Sequence, residues 1–330
     1  MIISRTPFRV SFLGGGTDLP SFYEAEEGAV LSCTINKYMY ITVNDRFDST
    51  YRLAYSQTEI VESVDQIQHK IFKYVLGKYA HLASDRNGGR GLELLSMADI
   101  PGGTGLGSSS TFTVGLLHAM KAHVGMFQSA EELAAEASRI EIEELKEPIG
   151  KQDQYAAAYG GLQFIRFKPN GTVSVDPVIC SPETRTNLQS SMMLFYTGMT
   201  RSASGVLSEQ KANTESKRDN LREMARLAGE MKSSLEQNKP ISHCGKLLHE
   251  GWMLKKGLAS GVTAPQIDLW YERALSAGAW GGKILGAGGG GFLMVLCPPD
   301  RQASVKAELS DLRHIPVELE SQGSKIIFVG

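Results

Sequence analysis

The sequence predicts an α+β protein with two domains. Its 330 residues are many for a single hydrophobic core. Segments typical of strands and of helices alternate along it, but without the regular βαβ rhythm of a parallel sheet. A proline-containing segment at 179–187 separates two such series. We therefore expect an N-terminal domain at residues 1–180 and a C-terminal domain at residues 181–330.

The composition limits the classes of partner. Apolar residues make up 42% of the chain and charged residues 21%, as in ordinary soluble globular proteins. A formal net charge of −2 gives no electrostatic reason to expect nucleic acid or an anionic membrane as the main partner. Arg5, Arg9 and a proline interrupt the region where a signal peptide would be apolar, and no run approaches the length of a membrane span. Four scattered cysteines without a C-x-x-C pair indicate a reducing compartment, so we expect a cytoplasmic protein.

The first half begins with β structure and continues with helices. Predicted strands are IISRTPFRVSFL, AVLSCTI, YMYITVND and TYRLAYS, followed by an amphipathic helix at 64–82 and the strand GLELLSMADIP. Ser129 and Glu132 fit a capping box that begins a helix running to Pro148. A short helix at 150–161 then precedes the hairpin LQFIRF, PNG and TVSVDPV.

The second half opens with the apolar strand SMMLFYTG. One long helix is predicted at 203–239, and two more at 241–258 and 264–277. The segment AWGGKILGAGGGGFLMVLCPP is typical of a strand, a glycine loop and a second strand. A helix in DRQASVKAELSDL and the closing strands IPVELE and KIIFVG complete the chain.

The stretch PGGTGLGSSS at 101–110 predicts a phosphate-binding loop. Four glycines within six residues let the backbone adopt positive φ and approach a ligand closely. The helix that follows has Val114, Leu117 and Met120 spaced for one buried face. A loop leading into a helix start presents free N–H groups and the positive end of the helix dipole, which suit a phosphate. The alternative is a flexible loop with a serine N-cap.

Two common nucleotide-binding motifs do not explain this chain. No Gly-Lys pair is followed by Ser or Thr, which excludes the Walker motif. Gly286, Gly288 and Gly291 satisfy G-x-G-x-x-G, and Asp311 follows at the expected distance. The segment FLMVLCPP after them is typical of a strand, whereas a dinucleotide fold requires a helix there. We therefore reject an NAD-dependent oxidoreductase.

Three glycine-rich stretches, at 14–16, 102–107 and 286–291, lie far apart in the sequence, each with polar neighbours. They are either three unrelated turns or the walls of one cleft between the domains. In a single cleft, the middle stretch would hold phosphate, the first would hold the acceptor, and the last would close over both.

These motifs resemble those of the GHMP small-molecule kinases, the family of galactokinase, homoserine kinase and mevalonate kinase. PGGTGLGSSS is similar to the family's phosphate loop, PFRVSFLGGGTD to its first motif and KILGAGGGGFLM to its third, so the resemblance spans the chain. It implies an N-terminal domain with the fold also seen in ribosomal protein S5 and a ferredoxin-like C-terminal domain. It also implies ATP as phosphoryl donor and Mg²⁺ as cofactor.

The resemblance assigns roles to individual residues. Asp153, in GKQD, matches the catalytic aspartate, and Arg9 matches its basic partner. Ser109 and Glu141 match the two magnesium ligands. An aspartate near the acceptor hydroxyl can take its proton late in the transfer, or act only as an electrostatic and positional aid. The expected ATP-binding residues are Pro101, Gly102, Gly103, Thr104, Gly105, Leu106, Gly107, Ser108, Ser109 and Ser110. The expected substrate-binding residues are Gly15, Gly16, Thr17, Asp18, Arg201, Ser202, Gly288 and Gly289.

Departures from the family pattern narrow the acceptor. Galactokinase-like first motifs carry Glu-His before Thr-Asp, whereas Gly15 and Gly16 stand here, which counts against galactose. The whole set looks most like the bacterial kinases that phosphorylate the anomeric hydroxyl of D-glycero-D-manno-heptose 7-phosphate. Fucokinase-type domains are the alternative, and a non-catalytic sugar or nucleotide sensor is the alternative of another class. Arg201, Ser202 and Ser204 at a helix start suggest an anion site for the substrate's own phosphate.

Overall fold

The computed structural model describes residues 1–199 and 203–330. Its strands are β1 Ile2–Leu13, β2 Gly28–Asp45, β3 Tyr51–Ala54, β4 Thr58–Val61, β5 Leu92–Ala98, β6 Leu162–Phe167, β7 Val173–Pro177, β8 Met192–Tyr196, β9 Gly281–Ile284, β10 Phe292–Leu296, β11 Arg313–Ile315, β12 Leu319–Glu320 and β13 Lys325–Val329. Its α-helices are α1 Pro20–Tyr23, α2 Lys70–Asn87, α3 Ser108–His123, α4 Ala130–Ser138, α5 Gln152–Tyr159, α6 Pro182–Ser191, α7 Ala203–Asn213, α8 Arg218–Glu236, α9 Ile241–Lys256, α10 Pro265–Ser276 and α11 Gln302–Glu308. The mixed α+β content is as predicted.

The larger sheet is organised around β2, which is 18 residues long. Among the described residues the sheet has nine strands, with β13-β1-β2-β5-β3-β4 as its main path. β6 and β12 also pair with β2, and β7 pairs with β6. We predicted two strands, AVLSCTI and YMYITVND, where the structure has the single strand β2. The segment between them stays hydrogen-bonded because β12 pairs with Thr34 and Ile35, and Asn36 N donates to Glu318 O at 2.9 Å.

The last residues return to this sheet. β13 pairs antiparallel with β1, from Ile2 opposite Val329 to Arg5 opposite Lys325. The division into residues 1–180 and 181–330 did not anticipate this, because pairing between the two ends of a chain leaves no local sequence signal. The boundary near residue 180 stays a prediction.

The smaller sheet has the order β11-β8-β10-β9 in the described part of the chain, and all its pairs are antiparallel. The prediction of one helix over 203–239 was wrong, because the structure has α7 and α8. Thr214 lies buried at the break, and its hydroxyl donates to Gln210 O at 3.1 Å. Across residues 1–199 and 203–330, no helix combines the length and apolar character needed to cross a membrane.

The helix that carries the glycine-rich loop is fixed against the larger sheet. The predicted face of α3, with Val114, Leu117 and Met120, is fully buried. Gly115 allows the close approach, since a Cβ there would lie 2.9 Å from Thr6 Oγ1. Ser4 Oγ donates to Gly115 O at 2.8 Å. This packing holds the start of α3 close to β1.

Candidate active site

The predicted phosphate loop lies at the amino-terminal end of α3. Gly103, Gly105 and Gly107 have φ values of 74°, 82° and 78°, in the left-handed region that favours glycine. Gly107 is the N-cap of α3, and no side chain caps the first turn. The free N–H groups and the positive end of the dipole therefore favour an anion here. Among the other predicted residues of the loop, Pro101 and Gly102 are exposed and Leu106 is buried. The Thr104 hydroxyl stabilises the loop by donating to Pro101 O at 3.0 Å.

The third glycine stretch packs directly on this loop. A Cβ on Gly286 would lie 2.6 Å from the Cα of Gly105, and a Cβ on Gly105 would overlap the carbonyl of Leu285. The two backbones are in contact because neither carries a side chain at these points. Together with Gly15 and Gly16 of the first stretch, they line a cleft with a volume of about 310 Å³. The structure thus brings all three stretches together, which excludes three unrelated turns.

Arg9 and Asp153 form a two-pronged ion pair beside the loop. Arg9 is buried on β1, and its Nε and Nη2 donate to the two carboxylate oxygens of Asp153, each at 2.7 Å. Its Nη1 donates to Gly105 O at 2.6 Å. Asp153 lies in the first turn of α5, with its carboxylate against Gly107. Such a planar pair fixes both partners in position, and one face of the partly exposed carboxylate borders the cleft.

Glu141 lies behind the loop in a π-helical turn, Arg139–Glu144, that continues α4. We expected an α-helix as far as Pro148, so this turn is a correction. Single π-helical turns within helices are frequent at functional sites. Ser109 Oγ donates to Glu141 Oε1 at 2.6 Å, and Gln154 Nε2 donates to Oε2 at 2.7 Å. Burial raises the pKa of Glu141, an effect that hydrogen bonds with Ser109, Gln154 and Ser110 oppose.

This pair fits a divalent cation. Glu141 is fully buried, and no lysine, arginine or histidine of the described residues forms an ion pair with it. A buried carboxylate without a cation is costly. Carboxylate and hydroxyl oxygens are hard ligands of the kind that Mg²⁺ prefers. Within residues 1–199 and 203–330, no cluster of three or more His, Cys, Asp or Glu side chains could hold a metal ion. A Mg²⁺ ion at Ser109 and Glu141 would therefore take its other ligands from phosphate oxygens and water.

Asp18 is buried across the cleft and is held by three donors. Its carboxylate accepts from Gly16 N at 2.9 Å, and from Gln152 N and Gln152 Nε2 at 3.2 Å each. Gly150 must be a glycine, since a Cβ there would overlap this carboxylate. Burial raises the pKa of Asp18, and the negative charge of Asp153 adds to the increase. Asp18 and Asp153 thus belong to one electrostatic unit.

Other predicted substrate contacts differ in their placement. Gly288 lines the cleft, whereas Gly289 donates its N–H to Val262 O at 2.8 Å. The buried Thr17 hydroxyl donates to Gly14 O at 2.8 Å and accepts from Ala29 N at 3.0 Å. Thr17 therefore holds the loop in shape, and its geometry does not support a substrate contact. Arg201 and Ser202 lie outside the described residues.

Two cleft residues escaped the sequence analysis. Gln152 directly precedes Asp153 but was not predicted as a site residue. Lys255 lies on α9 in the run HEGWMLKKG, which matches no functional motif. Lys255 is only 4% exposed, and its Nζ donates to Gly286 O at 2.6 Å. Burial lowers the pKa of Lys255 to about 8. A signal existed, because Lys255 shares a helix face with the buried Leu248 and Trp252 at spacings of seven and three residues.

The cleft supplies what phosphoryl transfer needs, which is alignment and charge neutralisation more than covalent help. The fold and the cleft together define a small-molecule phosphotransferase. Comparison with known families shows to which family of phosphotransferases the chain belongs. The models for the N-terminal and C-terminal domains of the GHMP kinases match residues 51–161 and 214–313, and the chain belongs to this family. The family predicted from the three glycine motifs is confirmed, and with it the two-domain α+β fold.

Individual relatives are similar over nearly the whole chain. D-glycero-alpha-D-manno-heptose 7-phosphate kinase of Campylobacter jejuni is 30% identical over 310 residues, which cover 91% of each chain. L-fucokinase/L-fucose-1-P guanylyltransferase of Bacteroides fragilis is 26% identical over 93% of this chain, which spans only 35% of that longer protein. The crystal structure of a D-glycero-D-manno-heptose 1-phosphate kinase from Bacteroides thetaiotaomicron superposes with a TM-score of 0.80 at 25% identity, covering all of both chains.

Proposed function

We propose that this kinase transfers the γ-phosphoryl group of ATP to the anomeric hydroxyl of D-glycero-D-manno-heptose 7-phosphate, giving the 1,7-bisphosphate in the biosynthesis of nucleotide-activated heptose. The observation that carries the transfer chemistry is the Arg9–Asp153 pair, with two contacts of 2.7 Å, placed against the phosphate loop. Support for the acceptor comes from the similarity to kinases named for heptose phosphates.

In the proposed reaction, backbone N–H groups at the start of α3 bind the phosphates of ATP. The anomeric oxygen forms a bond to the γ-phosphorus, and the bond from that phosphorus to the oxygen bridging it to ADP breaks. Asp153 accepts a hydrogen bond from the attacking hydroxyl and takes its proton as the new bond forms. Arg9 holds Asp153 in place. Ser109 and Glu141 would hold Mg²⁺, which neutralises phosphate charge when bound.

We also propose that the start of α7 binds the substrate's own phosphate. Arg201 and Ser202 directly precede this helix, and Ser204 and Leu207 of α7 line the cleft. A helix start with an arginine is suited to an anion. We expect Arg201→Ala to raise KM for the sugar phosphate and to leave KM for ATP nearly unchanged. Equal effects on both constants would contradict this assignment.

A fucokinase-type activity on a free sugar is the second candidate. The similarity of fucokinase domains over 93% of this chain favours it. The two candidates differ in whether the acceptor already carries a phosphate, so the Arg201 variant also separates them. A free sugar has no group for that arginine to neutralise, and its KM would not respond.

A coupled ADP-release assay tests the proposal. ATP and magnesium are combined with heptose 7-phosphate, free heptose, D-mannose, L-fucose and D-galactose, and NMR then locates the new phosphate. We expect the highest kcat/KM for the heptose 7-phosphate and a new phosphate at the anomeric carbon. A preference for L-fucose, or a phosphate on another carbon, would overturn the proposed substrate or position.

A further inference from the structure

Lys255 is a buried ammonium group that the proposed reaction leaves unused. Its Nζ carries three N–H donors, of which Gly286 O takes one at 2.6 Å. Within the described residues it forms no ion pair with a carboxylate, although Asp18 and Asp153 lie near enough to raise its pKa against burial and the Arg9 charge. Lysines are almost never buried in this way without a partner. Such a costly arrangement is characteristic of functional sites.

The side-chain amide of Gln152 lies beside it with a fixed orientation. Its Nε2 donates to Asp18 Oδ1 at 3.2 Å, the same oxygen that accepts from Gly16 N. Because a carboxylate oxygen accepts hydrogen bonds, the amide nitrogen is the atom that contacts Asp18. The amide oxygen is therefore the atom of Gln152 that does not contact Asp18. This oxygen is buried, and no donor in the described part of the chain reaches it.

Both unused groups converge on the open face of Gly15. A Cβ built there would lie 3.5 Å from Gln152 Nε2, 3.7 Å from Lys255 Nζ and 3.8 Å from Gln152 Oε1. Gly15 lines the cleft and carries no side chain to occupy this space. A group bound over Gly15 thus meets N–H donors of Lys255 and Gln152 together with the amide oxygen of Gln152. A hydroxyl group can accept from Lys255 and also donate to this oxygen, whereas a phosphate oxygen would leave the buried amide oxygen without a donor.

We infer that Lys255 and the Gln152 carbonyl oxygen bind one hydroxyl group of the acceptor over Gly15, with Lys255 donating to its oxygen and Gln152 accepting its proton. This extends the proposed function, on which it rests, by identifying a polyhydroxylated acceptor and a specificity-determining lysine. The hydroxyl bound here is not the reacting one, because Asp153 is held by Arg9 on the side of Gly107. The lysine also holds Gly286, so its second role is to position the third glycine stretch.

The first experiment replaces the charge. Lys255→Met keeps the apolar stem but loses the donors, and should raise KM for the acceptor about 10- to 100-fold, as expected for a hydrogen bond to a charged group. KM for ATP should rise less than KM for the acceptor, because Lys255 reaches the phosphate loop only indirectly, through Gly286. Lys256→Met is the matched control, because this neighbouring lysine pairs with Asp268 at 3.2 Å. Equal losses in both KM values would overturn the inference.

The second experiment removes hydroxyl groups from the acceptor. Monodeoxy analogues of whichever sugar the wild-type enzyme phosphorylates are compared in wild type and in Lys255→Met. One analogue should lose about tenfold or more in kcat/KM with wild type, the size of one such hydrogen bond, and lose nothing further with the variant. A lysine that only supports the fold would lower kcat/KM equally for every analogue, and that result would contradict the inference.

A third variant tests the same site independently, in case Lys255→Met does not fold. The backbone of Gly15 is not in the left-handed region, and its added methyl group would meet neighbours at ordinary contact distances. Gly15→Ala should therefore fold normally and raise KM for the acceptor by filling the hydroxyl site. An unchanged KM would count against the site. If wild type prefers L-fucose, the proposed heptose substrate fails, while the deoxy series on L-fucose still decides this inference.

Discussion

On the proposed phosphate side of the cleft, the groups available for binding are backbone N–H groups from consecutive residues around Gly107 and the start of α3. On the acceptor side, they are side chains that arrive from separate elements: Asp18 from the loop after β1, Gln152 and Asp153 from α5, and Lys255 from α9. The first side depends on backbone conformation. The second depends on the positions of single charged and polar atoms.

This difference predicts different sensitivities. Any side chain at the left-handed glycines should disturb the phosphate side, because every Cβ disfavours the positive φ that these residues adopt. On the acceptor side an isosteric change of one atom is enough, since the buried charges of Asp18, Arg9 and Lys255 act on one another. Variants on the two sides can therefore test whether the two sides respond differently.

The largest effect is expected from Asp153→Asn. The shape of the side chain is kept, but the carboxylate that faces the acceptor is lost, so kcat should fall about 10²- to 10⁴-fold, the usual range for a positioned proton acceptor. The dissociation constant for ATP, measured by calorimetry, should change little, because we propose that backbone groups bind the nucleotide. Asp176→Asn is the control, since Asp176 forms a surface pair with Arg166 at 2.9 Å. A large loss of ATP binding in Asp153→Asn would show that the two sides are not separate.

The next effect is expected from Gly105→Ala. Its φ of 82° is unfavourable for alanine by about 1–2 kcal/mol, and the added methyl group would overlap the carbonyl of Leu285. We expect weaker ATP binding and a lower Tm from the same variant. Gly102→Ala is the matched control in the same loop, because a Cβ there would have Ser108 Oγ as its nearest neighbour at 3.9 Å. Similar losses in both variants would contradict the role of backbone conformation.

The smallest effect concerns the pH dependence of stability in Asp18→Asn. Because burial raises the pKa of Asp18, the folded protein keeps this proton to a higher pH than the unfolded chain does. The corresponding stability is fully present below the pKa of the unfolded chain, about 3.9, and is lost as pH rises through the folded value. Asparagine does not titrate. The free energy of unfolding of the variant, relative to wild type, should therefore increase as pH rises from 4 upward.

Urea denaturation at a series of pH values measures this difference. Asp219→Asn, at a side chain 91% exposed, serves as the surface control, and the increase for Asp18→Asn should exceed that of this control. An increase no larger than that of the control would mean that the Asp18 carboxyl does not feel the burial seen in the structure. Activity should be lost in Asp18→Asn even where its relative stability improves.

The sequence by itself determined the family and the α+β class, which the comparisons confirm. It also determined the helix that follows the glycine-rich loop and the capping box at Ser129 and Glu132, which the structure confirms. The binding of phosphate by this loop stays a prediction. These features are local. Gly103, Gly105 and Gly107 adopt their left-handed conformations within a few residues of one another, and the buried face of α3 follows from helical spacing alone. Local rules of conformation and periodicity are therefore sufficient to predict them.

Only the tertiary structure decided which distant side chains meet. It placed Lys255 and Gln152 over Gly15, returned β13 to pair with β1, and broke the predicted helix at Thr214. It also turned the backbone at Glu141 into a π-helical turn facing Ser109. The charges in the cleft come from β1, α5 and α9, which pack together through a shared core rather than through any spacing in the sequence. Burial sets the energy of these charges, and burial exists only after the chain has folded.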